Sequence, residues 1–214
     1  MKTYVALLSA ISTAIACTLL VAKDSIKEQS NESNLLSNTR QLTFAGKRSG
    51  EGYYSSDGTK MIFQSEREPE NPFYQIYLMD LETGDTNRVS PGIGKTTCAW
   101  IHPDGKKVMF SSSHSDPNAK AKQADEIEER KSRRIRKYSW DYDENYEIWE
   151  TATDGSNPVN LTNCKGYDAE GSYSPDGNWI AFASNRHAYT KKLSDGEKER
   201  FEIDKSYFME IYIM

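Results

Sequence analysis

An Asp-Gly turn recurs three times in this 214-residue chain with matching flanks, and that repeat constrains the fold more tightly than any other feature. Ser56-Asp57-Gly58, Pro103-Asp104-Gly105 and Pro175-Asp176-Gly177 carry the turn, and fifteen residues before each Asp stands an aliphatic, Leu42, Val89 or Leu161, followed by Thr or Ser. After each turn comes an apolar-x-apolar segment: Met61-Ile62-Phe63, Val108-Met109-Phe110 and Ile180-Ala181-Phe182. Two positions beyond each Phe is Ser65, Ser112 or Ser184, and two more bring Arg67, His114 and Arg186.

The spacing also explains its own irregularity. Leu42 to Val89 is 47 residues and Val89 to Leu161 is 72, an excess of 25. Asp57 to Ile76 is 19 and Asp104 to Ile148 is 44, again an excess of 25, so the whole insertion lies between the second and third strands of the second unit. The third unit carries 16 extra residues at the same place, since Asp176 to Ile211 is 35. Each unit reads as strand, Asp-Gly turn, strand, variable loop, strand, short turn, strand. Asp bonds its own backbone and Gly supplies the positive φ such turns need. Four short antiparallel strands in about 47 residues make one blade of a β-propeller. The fold class expected is therefore all-β, a propeller of four-stranded antiparallel blades with about three blades present and the ring incomplete.

The motif SPDG-x-x-I-x-F-x-S-x-R, at Ser174 to Arg186, followed elsewhere by Ile76-Tyr77-Leu78-Met79-Asp80, resembles the WD40-like repeat of the TolB β-propeller. The resemblance covers residues 38–214. It implies a propeller fold and a protein, peptide or glycan partner in the cell envelope. Similar propellers are also joined to peptidase domains, which implies a second reading: the N-terminal propeller of a larger secreted hydrolase whose catalysis lies beyond Met214.

The domain plan follows. Lys2 precedes an uncharged run, Tyr4 to Ala22, which ends abruptly at Lys23 and Asp24 and reads as an export signal over residues 1–22. Ala14-Ile15-Ala16 before Cys17 and Leu20-Val21-Ala22 offer two cleavage sites. Lipid attachment at Cys17, or retention of the run as a membrane anchor, is the alternative to full release. Residues 23–37 are Ser, Asn, Glu and Lys without apolar periodicity, a flexible linker. Thr39 to Thr43 match Thr86 to Ser90 without gaps, an orphan fourth strand at 38–43 of the kind that closes a ring. Blades are expected at 44–90, at 91–162 with a charged insertion at 115–145, and at 163–214, the last only partial. The chain is expected to be the N-terminal part of a longer protein, because three blades cannot close and open ends expose strand edges.

Antiparallel order places the two insertions and the loops from fourth to first strands on one face. Arg67, His114 and Arg186 end their second strands toward that face, and the starts of the first strands add Glu51, Asp168 and Glu170. These six are the candidate binding residues, at the mouth of the central channel. The architectural alternative is that Arg67 and Arg186 pair with carboxylates of neighbouring blades.

Composition narrows the function classes. Net charge is −5, and −6 once Lys2 is removed with the signal, which argues against a nucleic-acid partner. The insertion from Ala119 to Lys137 is expected to form a solvated helix with a basic C-terminal half. Several motifs fail on inspection. Pro91 to Thr97 looks like a phosphate loop but has Val89 where a glycine is required and leads into a strand. Asp141, Asp143, Asn145 and Glu147 alternate like a calcium loop but place Tyr146 where the sharp turn needs glycine. His102, His114 and His187 lack metal-ligand spacing, and a disulfide between Cys98 and Cys164 is a minor alternative. The sequence thus points to no catalytic residue, no metal and no cofactor.

Overall fold

The computed structural model describes residues 35–132, 134–135 and 141–214. The export signal, Cys17 and most of the linker lie outside the described residues, as do Arg133 and residues 136–140 of the charged insertion. The chain forms two units, Met1–Leu42 and Thr43–Met214, and every element below belongs to the second.

The first blade is a meander of β1 (Arg48–Tyr54), β2 (Lys60–Glu66), β3 (Gln75–Asp80) and β4 (Thr86–Arg88), each strand antiparallel to the next. The second repeats the order with β5 (Thr96–Ile101), β6 (Lys107–Ser112), β7 (Asn145–Ala152) and β8 (Val159–Asn160). The third has β9 (Gly166–Tyr173), β10 (Ile180–Ser184) and β11 (Glu210–Ile213). A two-residue parallel bridge from Asn145 and Tyr146 to Gly166 and Tyr167 ties the second blade to the third. The second unit is thus an incomplete propeller of antiparallel blades. Residues 38–43 form no strand, since a fourth-strand sequence becomes a strand only against a third-strand edge.

The Asp-Gly turns close as their chemistry requires. Asp57 Oδ1 accepts from Ser55 Oγ at 2.7 Å and from the Thr59 amide at 3.0 Å, while Gly58 takes φ +71°. Hydrogen bonds from Ser55 and Thr59 hold the Asp57 carboxyl down at about 2, and Ser174 and Asn178 do the same for Asp176.

Alternation along the strands creates two apolar seams between blades. Ile62, Ile76, Leu78 and Val89 of the first blade meet Ala99, Ile101, Val108 and Phe110 of the second. Met109 and Ile148 of the second meet Tyr173, Ile180 and Phe182 of the third. Each seam removes apolar surface from both partners, which is the main favourable term holding one blade to the next.

The insertion of the second blade forms α1 (Ala119–Lys131), docked through polar contacts rather than merely solvated. The Gln123 side chain accepts from the Gly94 amide at 2.9 Å and donates to the Glu70 carbonyl at 3.1 Å. Arg130 reaches the first blade, donating to Glu66 at 2.8 Å and to the Pro72 carbonyl at 2.7 Å. Glu66 is 2% exposed, and Lys47 and Arg48 also bond it, each at 2.9 Å. The third blade's insertion holds α2 (His187–Thr190) and α3 (Asp195–Ile203); α3 starts with a Ser194–Glu197 capping box.

Glu66 makes a pH prediction. Burial opposes its charge, but hydrogen bonds from Lys47, Arg130 and Arg48 outweigh burial and hold the carboxyl below the usual range. A folded pKa below the unfolded one gives stability that is complete above the unfolded value, about 4.3, and lost as pH falls through the folded value. Glu66→Gln is expected to cost about 1–3 kcal/mol at pH 7. In urea unfolding, the gap between wild type and variant closes as pH drops from about 5 toward 3; a gap of constant size across that range would refute the ion-pair account.

Candidate functional site

The innermost strand of every blade, β1, β5 and β9, carries a bulge at the same repeat position. Its ladder register shifts between Gly50 and Tyr53, between Thr97 and Trp100, and opposite Ala181 to Ala183. The residue inside each bulge is left-handed: Glu51 (φ +50°), Cys98 (φ +49°) and Glu170 (φ +58°). A bulge bends its strand and re-aims a side chain. Here the three side chains are brought around one recess of about 370 Å³, with Tyr53 and Trp100 also in its wall. The two rings lie 4.8 Å apart, tilted by 40°.

Cys98 is the member of this group that the sequence reading missed. The signal was present, because Cys98 stands 47 residues after Glu51 and 72 before Glu170, the two repeat lengths themselves. Its thiol donates to Glu51 Oε2 at 3.3 Å. Burial, with the Glu51 and Glu170 carboxylates nearby and only a Thr97 hydrogen bond opposing, pushes its pKa up to about 12. It is therefore a thiol rather than a thiolate nucleophile at neutral pH. Cys98 and Cys164 are both free, so the disulfide weighed between them is not formed.

The other four candidates lie within the blades. Asp168 is fully buried and bonds Arg186 Nη2 at 2.6 Å; Ser184 donates to the same carboxylate. Arg186 Nε also donates to Ser184 Oγ at 3.1 Å, and its guanidinium lies over the Phe182 and Tyr212 rings. In the first blade Arg67 Nε donates to Ser65 Oγ at 3.1 Å and stacks over Phe63 and Tyr77. Ser49 stands where the third blade has Asp168 and donates to Ser65 at 2.9 Å. In the second, His114 Nδ1 is 2.9 Å from Ser112 Oγ and its ring packs on Trp149 at 4.2 Å. Burial lowers the His114 pKa. The hydrogen bonds and ring contacts described for the two arginines are to residues of their own blades. Of the six candidates the structure thus gathers Glu51 and Glu170, and places Arg67, His114, Arg186 and Asp168 apart from them.

Connections from all three blades interlock. Tyr142 of the second blade's insertion is 2.5 Å from the Tyr189 hydroxyl and accepts from Asn185 Nδ2 at 3.0 Å. Asn185 Oδ1 in turn accepts the Tyr167 amide at 2.8 Å. The glycine-rich stretch that imitates a phosphate loop is a blade connection. Gly94 is left-handed (φ +71°), and an added Cβ would lie 3.0 Å from the His114 backbone. Its carbonyl accepts from Asn71 at 2.9 Å and from Gln75 at 3.0 Å. The calcium-like run is likewise occupied by cations of the chain itself. Lys122 bonds Asp116 at 2.7 Å and Asp143 at 2.8 Å, and Lys95 bonds Asp141 at 2.5 Å.

Bulged inner strands around a recess, with elaborated connections between strands, define a β-propeller scaffold. Comparison with known proteins gives similar folds but no assignment. No family model and no curated protein matches the chain. Among solved structures it is similar to the putative TolB from Agrobacterium tumefaciens, at 23% identity and TM-score 0.49, over 68% of this chain and 41% of that one. TolB from Acinetobacter baumannii is similar at 25% identity and TM-score 0.46, over 68% of this chain and 29% of that one. Pyrococcus horikoshii acylaminoacyl peptidase is similar at 13% identity and TM-score 0.41, over 71% and 19%. The chain thus spans well under half the length of these structures. Among the described residues no helix is long and apolar enough to cross a membrane.

Proposed function

We propose that this chain is an exported cell-envelope propeller that binds a protein or peptide partner on the face bearing the insertions. The observation that carries this reading is the interlocked set of second-to-third-strand connections. Tyr142, Tyr189 and Asn185 join the insertions of blades two and three, and α1 is bonded to the corresponding connection of blade one. Loops that are extended yet fixed at their bases present a preorganised surface, which lowers the ordering cost of binding. The uncharged segment Tyr4 to Ala22 supplies the export signal, with cleavage or tethering at its end.

Site-specific photo-cross-linking in cells tests the assignment. A photoreactive residue replacing Glu128 or Lys165, both exposed on the insertion side, is expected to give discrete adducts with an envelope protein. The same residue replacing Lys106 or Asn178, at the Asp-Gly turns, is expected to give none. Adducts confined to the turn positions would overturn the choice of face.

A further inference from the structure

Buried carboxylates in this molecule come with cations. Glu66 holds Lys47, Arg48 and Arg130; Asp116 and Asp143 share Lys122; Asp168 holds Arg186. The inner recess differs in kind, since its two carboxylates, Glu51 and Glu170, are exposed to solvent. Glu51 and Glu170 line it, no Lys, Arg or His does, and among the described residues neither carboxylate belongs to an ion pair. The bulge accounts for the left-handed backbone at these positions, but glycine would adopt it at lower cost. The fold therefore does not require a charged side chain there.

The walls add a second, independent feature. Tyr53 and Trp100 present aromatic surface to the same space, with their ring centroids 4.8 Å apart. Ring faces carry negative electrostatic potential, so rings beside carboxylates favour a cation that also has an organic body. A recess of about 370 Å³ is within the range that encloses a side chain or a small molecule. A bare metal ion would use the carboxylates and leave the rings idle. An anion would meet only repulsion.

We propose that this recess binds an organic cation with an alkylammonium or guanidinium head, Glu51 and Glu170 neutralising the head and Tyr53 and Trp100 covering its stem or flat face. The proposal rests on reading the chain as a partner-binding propeller and names the group it would take: a lysine or arginine side chain of a peptide, or a free amine of the same chemistry. Cys98 stands between the two carboxylates as a neutral donor, its hydrogen bond to Glu51 fixing that carboxylate in place.

The test titrates the full chain with four probes: the acetylated and amidated tripeptides Gly-Lys-Gly and Gly-Arg-Gly, the first of these with its lysine Nζ acetylated, and n-butylammonium chloride. Calorimetry and tryptophan fluorescence read the binding. The lysine and arginine peptides are expected to bind, and Nζ-acetylation to weaken the lysine peptide by about tenfold. The double variant Glu51→Gln/Glu170→Gln is expected to bind about tenfold more weakly while keeping its circular dichroism and Tm. n-Butylammonium matching the lysine peptide would identify a free amine as sufficient; binding of the peptides alone would identify a peptide residue. Equal affinity for acetylated and free lysine, or an unchanged affinity in the double variant, overturns the proposal. The insertion-face cross-links report separately on the partner reading, because they persist in the double variant if only the recess is wrongly assigned.

Discussion

Asp168→Ala is expected to lower the unfolding free energy by about 3–5 kcal/mol. The carboxylate is fully buried, with Arg186 Nη2 at 2.6 Å and the Ser184 hydroxyl also bonded to it. Alanine leaves the guanidinium facing an empty pocket, with Ser184 Oγ as its remaining polar partner at 3.1 Å. Breaking a buried pair from one side costs more than the pair itself contributes, because the remaining charge is desolvated without compensation. The repeat supplies its own control. The first blade places Ser49 at this position and still holds Arg67 through Ser65 and the rings of Phe63 and Tyr77. Asp168→Ser should therefore retain part of what alanine loses. Exchanging the pair for the residues at these repeat positions in the second blade, Thr96 and His114, by Asp168→Thr with Arg186→His, should cost less than the two single changes added, since neither leaves its partner stranded. Guanidinium unfolding followed by tryptophan fluorescence measures the wild type and the five variants, the two single changes of the pair included. A loss below about 1 kcal/mol for Asp168→Ala, or strict additivity in the pair, would show that the Arg186–Asp168 bond is incidental.

What could be read from the sequence divides along a physical line. The all-β class and the antiparallel strand order within a blade were legible because each blade solves the same packing problem with the same spacing. An Asp-Gly turn precedes a segment that must alternate, so Ile62, Met109 and Ala181 fall in register without a structure. The channel position was half legible: Glu51 and Glu170 were found as charges, whereas Cys98 was passed over because a thiol does not look like a carboxylate. Partner choice was not legible. Nothing in the spacing says that Arg186 turns inward to Asp168, or that Lys122 fills the space between Asp116 and Asp143. The insertion helix illustrates the same point. Its composition reads as solvated, yet Gln123 and Arg130 anchor it through hydrogen bonds to residues 29 to 64 positions away. Such contacts are set by the tertiary arrangement, to which local periodicity is blind.

Ile148→Ala is expected to cost about 2–5 kcal/mol and Ile211→Ala no more than about 0.5 kcal/mol, although the repeat places both at the same position of a third strand. Ile148 is 0% exposed and packs in the seam with Met109, Tyr173, Ile180 and Phe182. Its truncation removes buried methyl groups and leaves a cavity that two rigid sheets cannot collapse to fill. Ile211 is 74% exposed, so truncation there removes side-chain atoms already in water. Ile76, at the same position in the first blade, is 0% exposed and should behave like Ile148. The comparison separates intrinsic strand preference from blade stacking. If propensity governed the position, all three substitutions would cost alike, within the span of about 1 kcal/mol that β-propensity covers. A cost at Ile211 approaching that at Ile148 would mean that the open face of the third blade is covered in solution. The dependence of that cost on protein concentration would then tell whether a second copy of the chain covers it, because only an intermolecular seam is strengthened by mass action.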